Sequence, residues 1–174
     1  MRYTARMAVH ADPMAIPWLV DLVNGWGTEP RARAGGRARP PRHAALPASA
    51  GELERIADLL YPVFAAADAT EKAALVADLL ARTGVRPALA GVDGRIEPRW
   101  LVPRERDALL AAAAIALRGQ LLDHGPDRLG TCADAACGDA YVDASPAGHR
   151  RFCSVTCQNR ARVAAFRRRR AQAD

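Results

Sequence analysis

Cys132, Cys137, Cys153 and Cys157 are the residues whose type and spacing most directly suggest chemistry. They are the chain's only cysteines, and all lie in its last third. The pattern is C-x4-C-x15-C-x3-C. Two close pairs with a hairpin-length segment between them have the spacing of a four-thiolate Zn²⁺ site. Each pair fits a tight turn that points both sulfurs at one place, and the intervening segment folds back to bring the pairs together. One tetrahedral, structural zinc ion is therefore the expected cofactor. A closed four-sulfur sphere has no room for a bound water, which argues against hydrolytic metal chemistry. Disulfides are disfavoured without a secretory signal. A redox-active or iron–sulfur site is the weaker alternative, since neither pair is C-x-x-C. His124 and His149 are the spare ligands nearby.

The elements that must position these sulfurs follow from local pattern. Ala133–Ala136 reads as a turn, Ala140–Asp143 as a short strand and Arg150–Cys153 as a second strand. Ser154 is a suitable N-cap for a helix running to about Arg170. That places Cys157 in the first turn, where the helix dipole favours a thiolate. A turn, a hairpin and a helix bearing the last ligand resemble a treble-clef zinc module. Val155, Val163 and Phe166 share one side of this helix, which is expected to dock on the hairpin.

Charge is concentrated in the same region. Residues 150–174 contain Arg150, Arg151, Arg160, Arg162, Arg167, Arg168, Arg169 and Arg170 against the single acid Asp174. The preceding 149 residues carry 17 basic and 18 acidic side chains, so the whole excess of +6 lies in the tail. Such asymmetry points to a polyanionic partner, with a solubilising tail as the plain alternative. Arginine's planar fork suits phosphates and guanine edges. Phosphate contacts would give affinity rather than sequence choice. Asn159 and Arg160 fit a structural role in the zinc knuckle as well as they fit nucleic-acid contact.

Residues 1–128 read as a helical domain with one hairpin. Ile16, Leu19, Val20 and Val23 predict a helix over Pro13–Trp26, with Asp12 as its cap. Residues 28–47, with five arginines among Gly, Ala and Pro, predict a flexible loop. Ser49 with Glu52, and Asp68 with Glu71, mark two further helix starts. Pro62 is expected to kink or split the first of these helices, and Gly84 to stop the second. Asp93-Gly94 between two apolar stretches predicts a hairpin over Val85–Val102, which Pro87 and Pro98 should limit to edges or short pieces. A strongly apolar helix follows from about Pro103 to Asp123. Trp18, Trp26 and Trp100 are expected in the core rather than around a pocket. The fold class is thus mostly α with short β-hairpins. The helical N-terminal domain is followed by a treble-clef-like zinc finger over 129–170 and a tail over 171–174.

No leader-type apolar run opens the chain and no apolar stretch is long enough to span a bilayer, so a soluble cytoplasmic protein is expected. No nucleophile set, phosphate loop or dinucleotide fingerprint is present, so no enzymatic activity is expected.

The run Cys132-x4-Cys137, Asp143-x-Ser145, Arg150-Arg151-Phe152-Cys153-Ser154 and Cys157-Gln158-Asn159-Arg160-Ala161-Arg162 resembles the CGNR zinc finger family. Gln158 stands where the family has Gly. In ordinary helix no Gly is required, so the zinc site should tolerate the change. Trp18–Asn24 resembles the opening of ABATE domains, which commonly precede such fingers. The resemblance implies a bacterial transcription regulator. Its ligands would be Cys132, Cys137, Cys153 and Cys157, and its finger would contact double-stranded DNA. The N-terminal domain would sense a small-molecule effector or form a homodimer. An RNA-binding or protein-interaction module is the alternative.

Overall fold

The computed structural model describes residues 8–34 and 48–172. The element order is β1 (Val9–His10), α1 (Ile16–Trp26), α2 (Thr28–Arg33), α3 (Ala50–Ala65), α4 (Ala69–Thr83), β2 (Arg86–Val92), β3 (Arg95–Val102), α5 (Ala108–His124), β4 (Leu129–Thr131), β5 (Ala140–Val142) and α6 (Val155–Ala171). The helices α1, α3, α4 and α5 enclose the main core, in which Leu19, Val23, Ile56, Leu60, Phe64 and Leu117 are almost wholly buried. No helix among the described residues is long and apolar enough to cross a membrane.

Local chemistry explains most boundaries. The Ser49 side chain accepts from the Glu52 amide at 3.3 Å, and that of Asp68 from the Glu71 amide at 2.9 Å. Caps of this kind contribute about 1 kcal/mol each. Gly84 ends α4 in the left-handed conformation at φ 64°, which only glycine adopts without strain. α1 departs from expectation: it starts at Ile16 with no side-chain cap, and Asp12 instead lies 3.5 Å from His10. α3 runs through Pro62 to Ala65 rather than splitting there. The proline falls in the last turn, so little helix remains to be disrupted.

Part of the expected loop over residues 28–47 is helical. Thr28–Arg33 forms α2, held to α3 by Thr28 on Asp58 and by Arg31 on Glu54 at 2.6 Å. Arginines without apolar periodicity read as loop, but here their partners lie on another helix. The rest of that segment, 35–47, lies outside the described residues. Trp26 packs against the core and Trp100 is half-buried beneath Arg118, whereas Trp18 is exposed.

β2 and β3 form the expected hairpin. Asp93 and Gly94 both have positive φ, 49° and 77°, the signature of the tight turn that matches strand twist. The strands are longer than the prolines suggested, at 7 and 8 residues. The sheet order is β1-β3-β2, but β1 pairs only with Leu101 and Val102. Pro98 lies beyond that short strand, where β3 is itself an edge and a missing N–H is tolerated. The following helix begins at Ala108, after a single 3₁₀ turn over Glu105–Asp107.

The finger's strands are built into the helical body. Leu129 and Ala140 belong to the main core cluster. The Asn24 side chain accepts from the Ala140 amide at 2.7 Å and donates to its carbonyl at 3.0 Å, acting as a short strand partner. The buried Lys72 ammonium donates to the Pro126 and Leu129 carbonyls at 2.9 and 2.8 Å. Burial lowers its pKa, with Asp127 opposing. Replacing Lys72 with Met strands two carbonyls and should cost about 1–3 kcal/mol, read as a lower urea midpoint with an unchanged slope.

Candidate metal centre

The two cysteine pairs arrive on different scaffolds. Cys132 and Cys137 lie in the connection between β4 and β5, which pair antiparallel from Leu129↔Val142 to Thr131↔Ala140. The expected second strand at Arg150–Cys153 is not formed; residues 150–154 are irregular and β5 pairs with β4. The first knuckle therefore sits at the tip of the β4–β5 ribbon. Cys132 N donates to Asp139 O at 2.8 Å and Cys137 N to Asp134 O at 2.8 Å, which closes its turn. Cys153 precedes α6, and Cys157 lies in its first turn, where the Ser154 hydroxyl accepts from the Cys157 amide at 3.2 Å.

All four sulfurs lie within 4.8 Å of one another. Cys153 Sγ is 3.6 Å from Cys137 Sγ and 3.5 Å from Cys157 Sγ. Sulfurs around a tetrahedral zinc at about 2.3 Å stand about 3.8 Å apart, so the arrangement fits one zinc ion held by four thiolates. No histidine joins the set among the described residues. Burial pushes the Cys137 thiol up to about 12, with the Asp139 carboxylate contributing. Cys153 is raised by burial and by its sulfur neighbours. Burial also acts on Cys157, but hydrogen bonding from Ser154 and the other cysteines outweighs it and lowers that thiol. A bound dication favours the thiolate at every donor and so offsets the penalty that burial imposes.

A second layer of polar contacts surrounds the sulfurs, and the sequence pattern gave little sign of it. Asp134 is buried inside the first knuckle; its carboxylate accepts from the Ala136 amide at 3.1 Å and from Arg160 Nε. Burial would raise its pKa, but these bonds hold it low. Arg160 also approaches Cys157 Sγ at 3.4 Å. Asp134 and Arg160 thus tie the first knuckle to the helix that carries the last ligand. Asp143 is the second anchor, accepting from the Ser145 amide at 2.8 Å and the Arg150 amide at 2.9 Å. Hydrogen bonds from Ser145 and Arg150, with Arg128 adding, hold it down at about 2. Tyr141 crosses the face of Gly130, and its hydroxyl donates to Arg150 O at 2.6 Å. A side chain at Gly130 would collide with that ring.

The eight arginines expected to meet nucleic acid fall into two groups. Arg150 lies over the Tyr141 ring and donates to the carbonyls of Val142, Phe152 and Cys153. Arg160 is engaged with Asp134. These two brace the finger. Arg151, Arg162, Arg167, Arg168, Arg169 and Arg170 are exposed. The helix face expected to dock on the hairpin does not do so: Val155, Val163 and Phe166 are all exposed, and Cys157 is the only buried residue of α6. The hairpin below is too short to reach past the first turn. Gln158 occupies ordinary helix, its amide donating to Ser154 O at 3.1 Å. The motif departure therefore needs no backbone accommodation.

Residues 128–170 match the CGNR zinc finger family. No curated protein matches the chain. The purified protein should hold one zinc per chain, and Cys157→Ser should abolish stoichiometric binding. Arg160→Met should weaken zinc roughly 10–100-fold, measured by competition with a chromogenic chelator.

Proposed function

We propose, from the CGNR zinc finger at residues 128–170, that the protein is a zinc-dependent DNA-binding transcription regulator. The observation that carries this is α6 itself. It is a 17-residue helix anchored at its first turn and exposed beyond it, about 25 Å long. Arg162 and Arg167–Arg170 lie on that exposed length. A rigid cationic rod held at one end by a metal site suits a duplex groove. Zinc would supply rigidity at the helix start together with the Ser154 cap and the Arg160–Asp134 pair. The bracing arginines, Arg150 and Arg160, set its direction, while the exposed ones neutralise phosphates.

An open cleft of about 690 Å³ lies between α1 and the finger, lined in part by Ile16, Val20, Asn24, Tyr141, Arg150 and Thr156. A small-molecule effector bound there would touch both the helical body and the element that sets α6. This supports a sensing role for the N-terminal part.

The exposed Val163 and Phe166 favour a second reading, in which α6 docks on an acidic protein surface with an apolar centre. Fluorescence polarisation with random duplex DNA across a salt series separates the two. The expected log–log slope is roughly −4 to −7, from about five to eight phosphate contacts, and chelation should abolish binding. Replacing Arg167–Arg170 together with Gln should flatten that slope by roughly 3–4. Negligible affinity of the zinc-loaded protein at low salt would favour the protein-docking reading.

A further inference from the structure

The side chains of α6 are not spread evenly around its axis. Cys157 is buried in the finger, and Arg160 is tied to Asp134. At about 100° per residue, Ala161, Ala164 and Ala165 follow Cys157 on the inner side, and all three are half-buried. The opposite, outward line runs through Asn159, Val163, Phe166 and Arg170. All four are exposed, Val163 and Phe166 at 50% and 57%. Arg162 and Arg169 border this line on one flank, and Arg167 borders it on the other. Arg168, though exposed, lies on the inner side. The helix contains no acidic residue. Arg160 is engaged, but the side chain of its neighbour Asn159 makes no hydrogen bond among the described residues.

We infer that Asn159, Val163 and Phe166 are the base-reading residues of α6 and select a short run of A·T pairs. This rests on the duplex-binding function proposed above and names what that helix discriminates. A helix with its side chains is about 10–12 Å across, and the major groove is about 12 Å wide. A helix seated there meets a phosphate strand on each side and base edges beneath it. The two arginine flanks match the two strands, which leaves the line between them for the bases. The chemistry of that line decides which bases. A carboxamide offers a donor and an acceptor together, the complement of adenine N7 and N6. Aliphatic and aromatic side chains match the thymine methyl, the apolar group of the major groove. Asn159 and Phe166 are seven residues apart, about 10 Å along the axis, or roughly three base-pair steps. The line therefore spans about four consecutive pairs. The flanking arginines, bound to phosphate, add affinity without choosing among sequences.

The test is selection by the zinc-loaded full chain from duplexes with a randomised core, followed by fluorescence polarisation on the enriched site. An A·T run of about four pairs should be enriched. Asn159→Ala should lower the preference for adenine at one position roughly 10–100-fold, while affinity for random duplex and its salt slope stay unchanged. Uracil in place of thymine removes only the major-groove methyls. It should weaken the wild type on the order of tenfold for two methyls, and should have no effect on a Val163→Ala, Phe166→Ala double variant. These side chains are exposed, so zinc content and circular dichroism should match the wild type in every variant. Three outcomes overturn the base-reading assignment while duplex binding stands. They are salt-dependent binding with no A·T enrichment, an uracil site bound as tightly as the thymine site, and a zinc-loaded Asn159→Ala variant with undiminished adenine preference. Failure to bind any duplex at low salt overturns the assignment together with the function on which it rests.

Discussion

Four sulfur atoms forced within 4.8 Å of one another are the constraint on which the C-terminal third depends. As thiolates they would repel strongly in a buried site, and as thiols they would make only weak contacts. A dication resolves the conflict, and in small zinc modules such binding is itself the main source of folding free energy. The apolar groups around the sulfurs are few, essentially Phe152 beside the cysteines themselves. What else holds the site is polar: Asp134 closes one turn and reaches Arg160, while Asp143 gathers the amides of Ser145 and Arg150. Hydrogen bonds lower both carboxylates, Asp143 to about 2.

The metal site is not isolated from the helices. Gly138, next to the ligand Cys137, sits so close to α2 that an added Cβ would come within 3.2 Å of Glu29 O and 3.3 Å of Pro30 Cα. Asn24 holds Ala140, and Lys72 holds the entry to β4. Each contact binds finger backbone to a different helix. A change in the helical body that moved α1 or α2 would be felt at the knuckle, since packed interiors transmit displacement rather than absorb it. The cleft between α1 and the finger adjoins these contacts, with Asn24 of α1 and Tyr141 and Thr156 of the finger in its lining.

The ligand set, the Ser154 cap, the Asp93-Gly94 turn and the Gly84 stop were legible because each rests on chemistry within a few residues. The same holds for the second and third helix starts at Ser49 and Asp68. What the pattern missed depends on partners far along the chain. α2 reads as loop in sequence because its stabilising acids, Glu54 and Asp58, lie on α3. Asp134 and Asp143 look like ordinary turn residues until Arg160 and the Arg150 amide are brought to them. Arg150 and Arg160 count toward the basic tail in sequence, yet they brace the finger, and charge alone cannot separate a bracing guanidinium from a free one.

Two apolar periodicities of similar appearance met opposite fates, and the reason is length. In α3 the stripe Leu53, Ile56, Ala57, Leu60 and Phe64 faces other helices and is buried along its whole course. In α6 the stripe of Val155, Val163 and Phe166 has no element opposite it among the described residues, because the β4–β5 ribbon has only 3 residues per strand. The β2–β3 hairpin repeats the situation in a sheet, outrunning the part of α5 that covers its root. Periodicity reports that a face is apolar; whether the chain itself supplies the cover depends on the lengths of the elements that pack there. Among the described residues, two such uncovered faces lie on α6 and on the outer part of the β2–β3 hairpin. One is anchored by the metal site and rich in arginine, while the other is rooted in the helical body with its charge confined to the opposite face.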